Sequence, residues 1–489
     1  MPEVQFVSGV IVALGLLLAL ARISGLPPSP VVFAGGIASV LLPVPLPALR
    51  TNPEIVLGLL LPPLLYAGVV ALSLDLLRHA LVRGVVAGLV LVIGVTLMVA
   101  AAAQVLLPGL DPVACLLIGV CAGIGDTRLP QETGQAQHLP RALTDAYAGQ
   151  AVSARLLVVS LYLLAREAVG GPPPEVGAAL QRIGTDLLGG GLLGAAVGLF
   201  AVEFRRRIGA ASVEVAISAA TPFLAAILAG AAGVSVAVTI VVAALTVVAR
   251  AVDRRTGEAI SSPEARLVSR HVWSEAELML SAALYFLIGR ALPEALGALG
   301  RYEPAQLVLA AAALLALVVG VQFLLALLAV AMPWTPRMPG ADGRPAGALR
   351  IAAVAAWSPH RSAIALALAL AVPAAAPDGR PFAERELVLA LVALMVVLSG
   401  LVQGTTLPAL LGWAQLGGAE EERRETELAQ ATAAAAQGRA RRVADPEGAA
   451  AEGRRALARL RGRDAIGDAA LQQADQAVAS RAQAERAGE

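Results

Sequence analysis

Ile351-Ala-Ala-Val-Ala-Ala-Trp-Ser-Pro-His-Arg-Ser-Ala-Ile-Ala-Leu-Ala-Leu-Ala-Leu-Ala-Val372 is the stretch that decides the fold. It is apolar over the roughly 20 positions that a helix needs to cross a bilayer. Two of its residues do not suit an unbroken apolar helix. Pro359 has no backbone N–H to donate. Arg361 sets a permanent charge among alanines and leucines. An arginine at the middle of a span costs about 2.5–3.5 kcal/mol even on a lenient insertion scale. It is therefore retained for a functional site or for a structural pairing with a carboxylate.

The rest of the chain has the same character. Of its 489 residues, 57% are hydrophobic, 15% charged and 3% aromatic. Soluble domains run at about 45–50% apolar and about 25% charged. The 37 basic residues, all arginine, face 36 acidic ones for a net charge of +1. A GC-rich coding bias accounts for arginine in place of lysine. This composition excludes a soluble multidomain enzyme, a nucleic-acid binder and a disordered protein. Cys115 and Cys121 lie in an apolar run without metal-ligand spacing, as buried free thiols do. No Ser/His/Asp set, His-Glu-x-x-His motif or nucleotide loop stands out, so an intramembrane enzyme is the weakest reading.

Thirteen windows are apolar enough, or nearly so, to span: 4–23, 31–48, 54–73, 84–107, 111–126, 142–165, 184–203, 211–231, 233–250, 271–290, 305–332, 350–373 and 386–412. The first has no basic segment before it and is too long for a signal-peptide core. The second and fifth are short and rich in Gly and Pro, as buried or broken helices are. Arginine placement sets the orientation, because cytoplasmic loops collect basic residues. Loops on one side hold sixteen arginines and those on the other hold seven. The segment from about 413 onward holds twelve more and falls on the richer side. The expectation is a multi-pass protein of the plasma or inner membrane, N-terminus outside and tail in the cytoplasm. Only Arg155 and Arg361 lie within spans.

From Gly417 the composition turns to Ala, Glu, Gln and Arg with hardly a large apolar residue. The chain thus divides into a transmembrane domain, 1–415, and a tail, 416–489. The tail is expected to be partly helical or disordered, largely solvated, and without a core to bury.

Several segments, in order, resemble the sodium/proton exchanger family, the NhaP-like monovalent cation:proton antiporters. They are Leu61-Pro-Pro-Leu-Leu-Tyr66 followed by Asp75, Ser212-Val-Glu-Val215 leading to Thr221-Pro-Phe223 and Gly233-Val-Ser235, and Trp273 to Gly289. His360-Arg-Ser-Ala-Ile-Ala-Leu-Ala-Leu-Ala-Leu370 and Leu401-Val-Gln-Gly-Thr-Thr-Leu-Pro408 complete the set. The resemblance implies an all-α membrane protein of about thirteen helices built as inverted repeats, with two broken helices crossing near the midplane. It also implies alternating-access exchange of Na+ or K+ for protons, no cofactor, lipid surroundings and a homodimer. Broken helix ends expose partial charges that can hold ions where lipid cannot. The breaks are expected around Gly119, Gly123 and Gly125, and around Trp357 to His360 with Pro359.

One motif departs from the family. Asp126 falls on the Asp of its Thr-Asp-Pro, and Leu139-Pro140 on its Leu-Pro. Ala148-Gly-Gln-Ala-Val-Ser-Ala-Arg155 then lies over Glu-Gly-Glu-Ser-Leu-Leu-Asn-Asp, whose last Asp alternately takes a proton and the cation. Gly149 is retained, Ala154 replaces Asn, and Arg155 replaces that Asp. An arginine keeps its charge and cannot cycle a proton. It would repel a cation about 4 Å away by roughly 4 kcal/mol at an effective dielectric of 20. Asp126 is its expected partner, and Arg361 matches a family arginine implied to form a structural or pH-linked ion pair. The ion-binding candidates are Asp126, Thr127, Ser153 and Glu214, with Gly125, Arg155, Pro359 and Arg361 forming the crossing region. Glu214, and Glu275 and Glu277 at the start of the tenth span, are acids that could substitute for the missing carboxylate, though all three are close enough to span ends to be solvated; His79, His138, His271 and His360 read as loop or span-edge residues. Besides modified antiport, two readings stay open: a scaffold that has lost exchange and serves a regulatory or binding role, and an anion carrier attracted by the two arginines.

Overall fold

Long runs of Ala, Leu and Val satisfy their backbone only within themselves, which in lipid dictates helices. The structure, a computed structural model, describes residues 2–41, 53–70, 72, 81–126, 139–172, 175–208, 210–250, 263–300, 302–332, 338, 340, 345–441 and parts of 452–478. Thr127, Asp75, His79 and His138 lie outside them. The helices are α1 (Pro2–Ser24), α2 (Pro28–Leu41), α3 (Pro53–Ile55), a π-turn (Val56–Leu60) running into α4 (Leu61–Val70), α5 (Leu81–Leu106) and α6 (Pro112–Gly123). After strand β1 (Gly125–Asp126) come α7 (Arg141–Glu167), α8 (Val176–Arg206), α9 (Ala211–Ala232), α10 (Val236–Ala249), α11 (Pro263–Ala298) and α12 (Pro304–Ala331). Then follow α13 (Ala348–Trp357), β2 (His360–Arg361), α14 (Ala363–Leu370), α15 (Arg385–Ala414) and α16 (Gly418–Arg441). Among the described residues, seven helices are long and apolar enough to cross a membrane and six shorter apolar ones accompany them. Each of the thirteen windows holds one of these. The two expected breaks are present, after α6 and between α13 and α14. Gly119 and Gly123, however, are helical, and the first break opens at Ile124.

Small residues set the packing. Without a hydrophobic drive between helices in lipid, close backbone approach is what holds them together. α5 lies along both α6 and α7. At its crossing with α7, a side-chain carbon on Gly149 would stand 2.6 Å from the Gly84 Cα. α15 touches α6, α11, α12, α14 and β2, so it is the post around which both broken helices are arranged. The main core includes Leu65, Ile118, Val158, Phe286, Leu366 and Leu391. A second cluster of Leu143, Tyr147, Ile351, Leu411 and Leu416 closes the end where α7 begins and α15 stops.

The tail differs from the expectation of a segment without a core. Ala429 and Ala433, one turn apart on α16, are buried with Leu457, Ile466, Ala470, Ala474 and Val478. Alanines on one face let helices approach closely, so among the described residues a core forms with few leucine-sized side chains, Leu457 and Ile466 buried and Leu460 and Leu471 packed against them. The tail is also anchored to α7. Glu421 Oε2 accepts a hydrogen bond from the Arg141 backbone N–H at 3.1 Å, and the Arg141 guanidinium lies 3.5 Å from Glu425. A carboxylate there satisfies an orphan donor and complements the positive end of α7.

Two outcomes follow. Gly149→Val forces α5 and α7 apart and lowers stability by about 1–3 kcal/mol, measurable as a depressed thermal midpoint of the solubilised protein. Glu421→Ala removes the cap at a cost of about 0.5–2 kcal/mol, seen as faster hydrogen exchange across residues 418–441. Burial holds the Glu421 carboxyl above its ordinary value of 4.5, against the opposing Arg141 hydrogen bond. A raised carboxyl favours the docked tail fully below 4.5 and loses that contribution as pH rises through the shifted value. Exchange should therefore slow on acidification in the native chain, and Glu421→Gln should remove that dependence.

Candidate functional site

The site is built from two interruptions. Asp111 caps the start of α6, accepting from Val113 N at 2.7 Å, with Pro112 in the first turn. The helix runs to Gly123, and Ile124 then turns extended into β1. In the other interruption α13 stops at Trp357, Pro359 prevents its continuation, and Ser362 restarts α14 by accepting from Ile364 N at 3.1 Å. The extended pieces pair antiparallel, Gly125 with Arg361 and Asp126 with His360. Each break supplies partners for the other, and the opposed direction is what an inverted repeat produces.

The remaining backbone groups are met by α15. Gln403 Nε2 donates to the carbonyls of Trp357 at 2.9 Å and Pro359 at 3.2 Å. Its Oε1 accepts from the Ser399 hydroxyl, whose oxygen accepts from Arg361 N at 2.9 Å. The fully buried Arg361 guanidinium donates to the Ala122 carbonyl and, at 3.5 Å, to the Pro359 carbonyl. It thus sits on the negative end of α6. Gly125 allows this, since a side-chain carbon there would meet Arg361 Nη2 at 3.1 Å.

The structure brings Asp126, Gly125, Pro359 and Arg361 to this crossing, with Asp126 and His360 both buried. His360 is therefore at the centre of the break and not at a span edge. Thr96 of α5 stands beside Gly123 and is also buried. Ser153 faces elsewhere. It packs against Gly88 of α5 and spends its hydroxyl on its own helix, donating to the Gly149 carbonyl at 2.9 Å. Glu214 is buried in the first turn of α9, where the helix dipole favours a carboxylate. One turn on, Ser218 accepts from Trp273 Nε1 of α11 at 2.9 Å.

Arg155 is buried on α7, which packs against β1. The carboxylate facing it is Glu277 of α11, at 3.7 Å, where Asp126 had been expected. Gly68 of α4 makes the room: a side-chain carbon there would lie 2.8 Å from Arg155 Nε. The guanidinium also donates to the Ala151 carbonyl at 3.2 Å. Attraction across this gap is about 4 kcal/mol at an effective dielectric of 20. Glu277 had read as solvated, but α11 begins at Pro263, so Glu277 lies well inside it and is buried, while Glu275 is exposed. The charged first turns had masked the start of the helix from a hydropathy window.

Sequence reasoning did not single out Ser399, Gln403 or Thr96 as site residues, whereas Glu277 had been weighed as a substitute transport acid. Gln403 had a usable signal, a lone amide in an apolar span. Thr96 and Ser399 had none, because hydroxyls are common in buried helices.

Several buried polar atoms have no hydrogen-bond partner among the described residues. They include Thr96 Oγ1, Ser358 Oγ, His360 Nδ1, Glu214 Oε2, Arg155 Nε and Tyr66 Oη.

Replacing Gln403 by Leu leaves the Trp357 and Pro359 carbonyls without that donor. The expected cost is about 1–3 kcal/mol, read as a lower thermal midpoint, whereas Thr405→Val on the exposed face of α15 should be close to neutral.

Known proteins share this fold. A solved sodium proton antiporter, MjNhaP1 of Methanocaldococcus jannaschii, superposes with a TM-score of 0.63 at 12% identity, over 85% of this chain and 100% of its own. Uncharacterized Na+/H+ exchangers of Mycobacterium bovis and Mycobacterium tuberculosis are 29% identical over 401 residues, 78% of this chain and 69% of theirs. The model of the transmembrane sodium/hydrogen exchanger family matches residues 9–413, and the chain belongs to that family.

Proposed function

We propose that the protein exchanges a monovalent cation for protons by alternating access, with Asp126 at the helix crossing as the cation's primary carboxylate. The observation that carries this is the buried β1–β2 pair, which sets Asp126 between two half-helices whose backbone ends are already satisfied. Thr96, Thr127 and Glu214 are the further oxygen ligands of this reading. The pairing of Arg155 with Glu277 and the seating of Arg361 on carbonyls support a cation over an anion. Both guanidiniums already face negative partners and offer little net field to an anion. The arginine bias supports an outside N-terminus and a cytoplasmic tail, and the family resemblance supports a homodimer.

The test is direct. Reconstituted protein receives sodium, potassium or lithium pulses while a pH-sensitive dye reports proton movement. A cation-dependent proton flux that falls at least tenfold in Asp126→Asn is expected. Chloride-dependent flux without cation dependence would establish the anion reading. A silent native protein that gains flux with Ala154→Asn and Arg155→Asp would establish a scaffold that has lost exchange.

A further inference from the structure

We propose that Glu277 of α11 is a second transport carboxylate, and that Arg155 acts as a tethered cation competing for it with the transported ion. The inference rests on the cation-exchange reading above and adds the site where competition takes place.

The pair is buried but loosely closed. Arg155 Nη2 stands 3.7 Å from Glu277 Oε1, beyond the roughly 2.7–2.9 Å of a charge-assisted hydrogen bond. Arg155 Nε has no hydrogen-bond partner among the described residues. The guanidinium is steered by geometry, through Gly68 beside it and the Ala151 carbonyl one turn back, and is not locked in a two-pronged bond. Two buried hydroxyls belong to the neighbouring turns of the packing around Glu277. Ser281 lies one turn further along α11, and Tyr66 rests on Trp273, one turn back, with ring centres 4.9 Å apart. Ser281 Oγ and Tyr66 Oη are both buried without hydrogen-bond partners. An ion displacing the guanidinium would thus find a carboxylate and two hydroxyl oxygens, all hard ligands suited to it.

Among the described residues, the helices packed on α11 bring few charged groups. Of the helices packed on α11, α2 and α14 bring no ionisable side chain and α4 brings only Tyr66. Near α11, α1 ends in the exposed Arg22. α9 brings Glu214, and α15 brings Arg385 and Glu386, which pair with each other at its start. Asp126 and Arg361 belong to the crossing.

In the exchange step the only covalent change is the O–H bond of the Glu277 carboxyl, formed with a proton given up by hydronium on one side and broken by its return to water on the other. A proton or a cation takes the Glu277 carboxylate as the Arg155 guanidinium withdraws, and the guanidinium returns as that ligand leaves. Charge at the carboxylate stays balanced throughout.

The experiment uses the full chain in proteoliposomes with sodium, potassium and lithium pulses. Arg155→Gln removes the competitor, so the cation KM should fall about tenfold or more. A merely structural arginine would lower the amount of folded protein or kcat and leave KM unmoved. Glu277→Asp should keep flux with a displaced pH profile, and Glu277→Gln should reduce coupled flux to background. If Glu277→Gln does not fold, the KM of Arg155→Gln and the pH profile of Glu277→Asp decide. Wild-type flux and KM in Glu277→Gln, or an unchanged KM in folded Arg155→Gln, overturns the proposal while native flux persists. Absence of cation-dependent flux from the native protein instead overturns the exchange reading on which it rests.

Discussion

An unpaired backbone group inside a bilayer costs several kcal/mol, and this protein interrupts two helices at the same depth. Every other feature of the centre answers that constraint. β1 and β2 spend their free donors and acceptors on one another. Ser399 and Gln403 reach from α15 to the groups left over, and Arg361 covers the exposed end of α6. Two half-helices that would otherwise be independent are thereby tied to each other and to one post. The backbone of Asp126 is fixed by the β1–β2 register, and the residue is buried at the crossing.

Charge obeys the same economy. Arg361 is tolerated because carbonyls at a helix end carry partial negative charge. Arg155 is tolerated because Glu277 faces it and Gly68 leaves the volume a guanidinium requires. A side chain at 68 would meet the guanidinium and force it to shift. The arginine on α7 thus belongs to a three-helix arrangement, with a missing side chain on α4 and an acid on α11. It is not a point replacement dropped into an otherwise unchanged site.

Much of this was legible in the residues. Thirteen apolar windows each hold a helix, and Pro359 and Arg361 marked the second break. Asp126 fell at the first, although Gly119 and Gly123 stayed helical because α5 packs against them too closely for any side chain. What could not be read has physical causes. Hydropathy locates apolar runs, not helix ends, so the polar first turns of α11 hid how deep Glu277 lies. A contact such as Arg155 with Glu277 joins residues more than a hundred positions apart through tertiary packing alone. The tail's core escaped notice because alanine contributes little to hydropathy, yet it allows the closest helix approach.

The position of Arg155 also bears on which ion the bundle can carry. An anion site needs uncompensated positive charge, donors without negative partners, or helix N-termini turned inward. At this crossing Arg361 is directed onto the carbonyl end of α6, the negative pole, and Arg155 faces a carboxylate. Among the described residues the buried acids Asp126, Asp186, Glu214 and Glu277 outnumber these two guanidiniums, and Asp186 is paired with Arg182. Losing the usual acid from α7 therefore relocates the negative charge within the bundle without removing it, and an exchanger needs only that one such charge be shared in turn by two positive ligands.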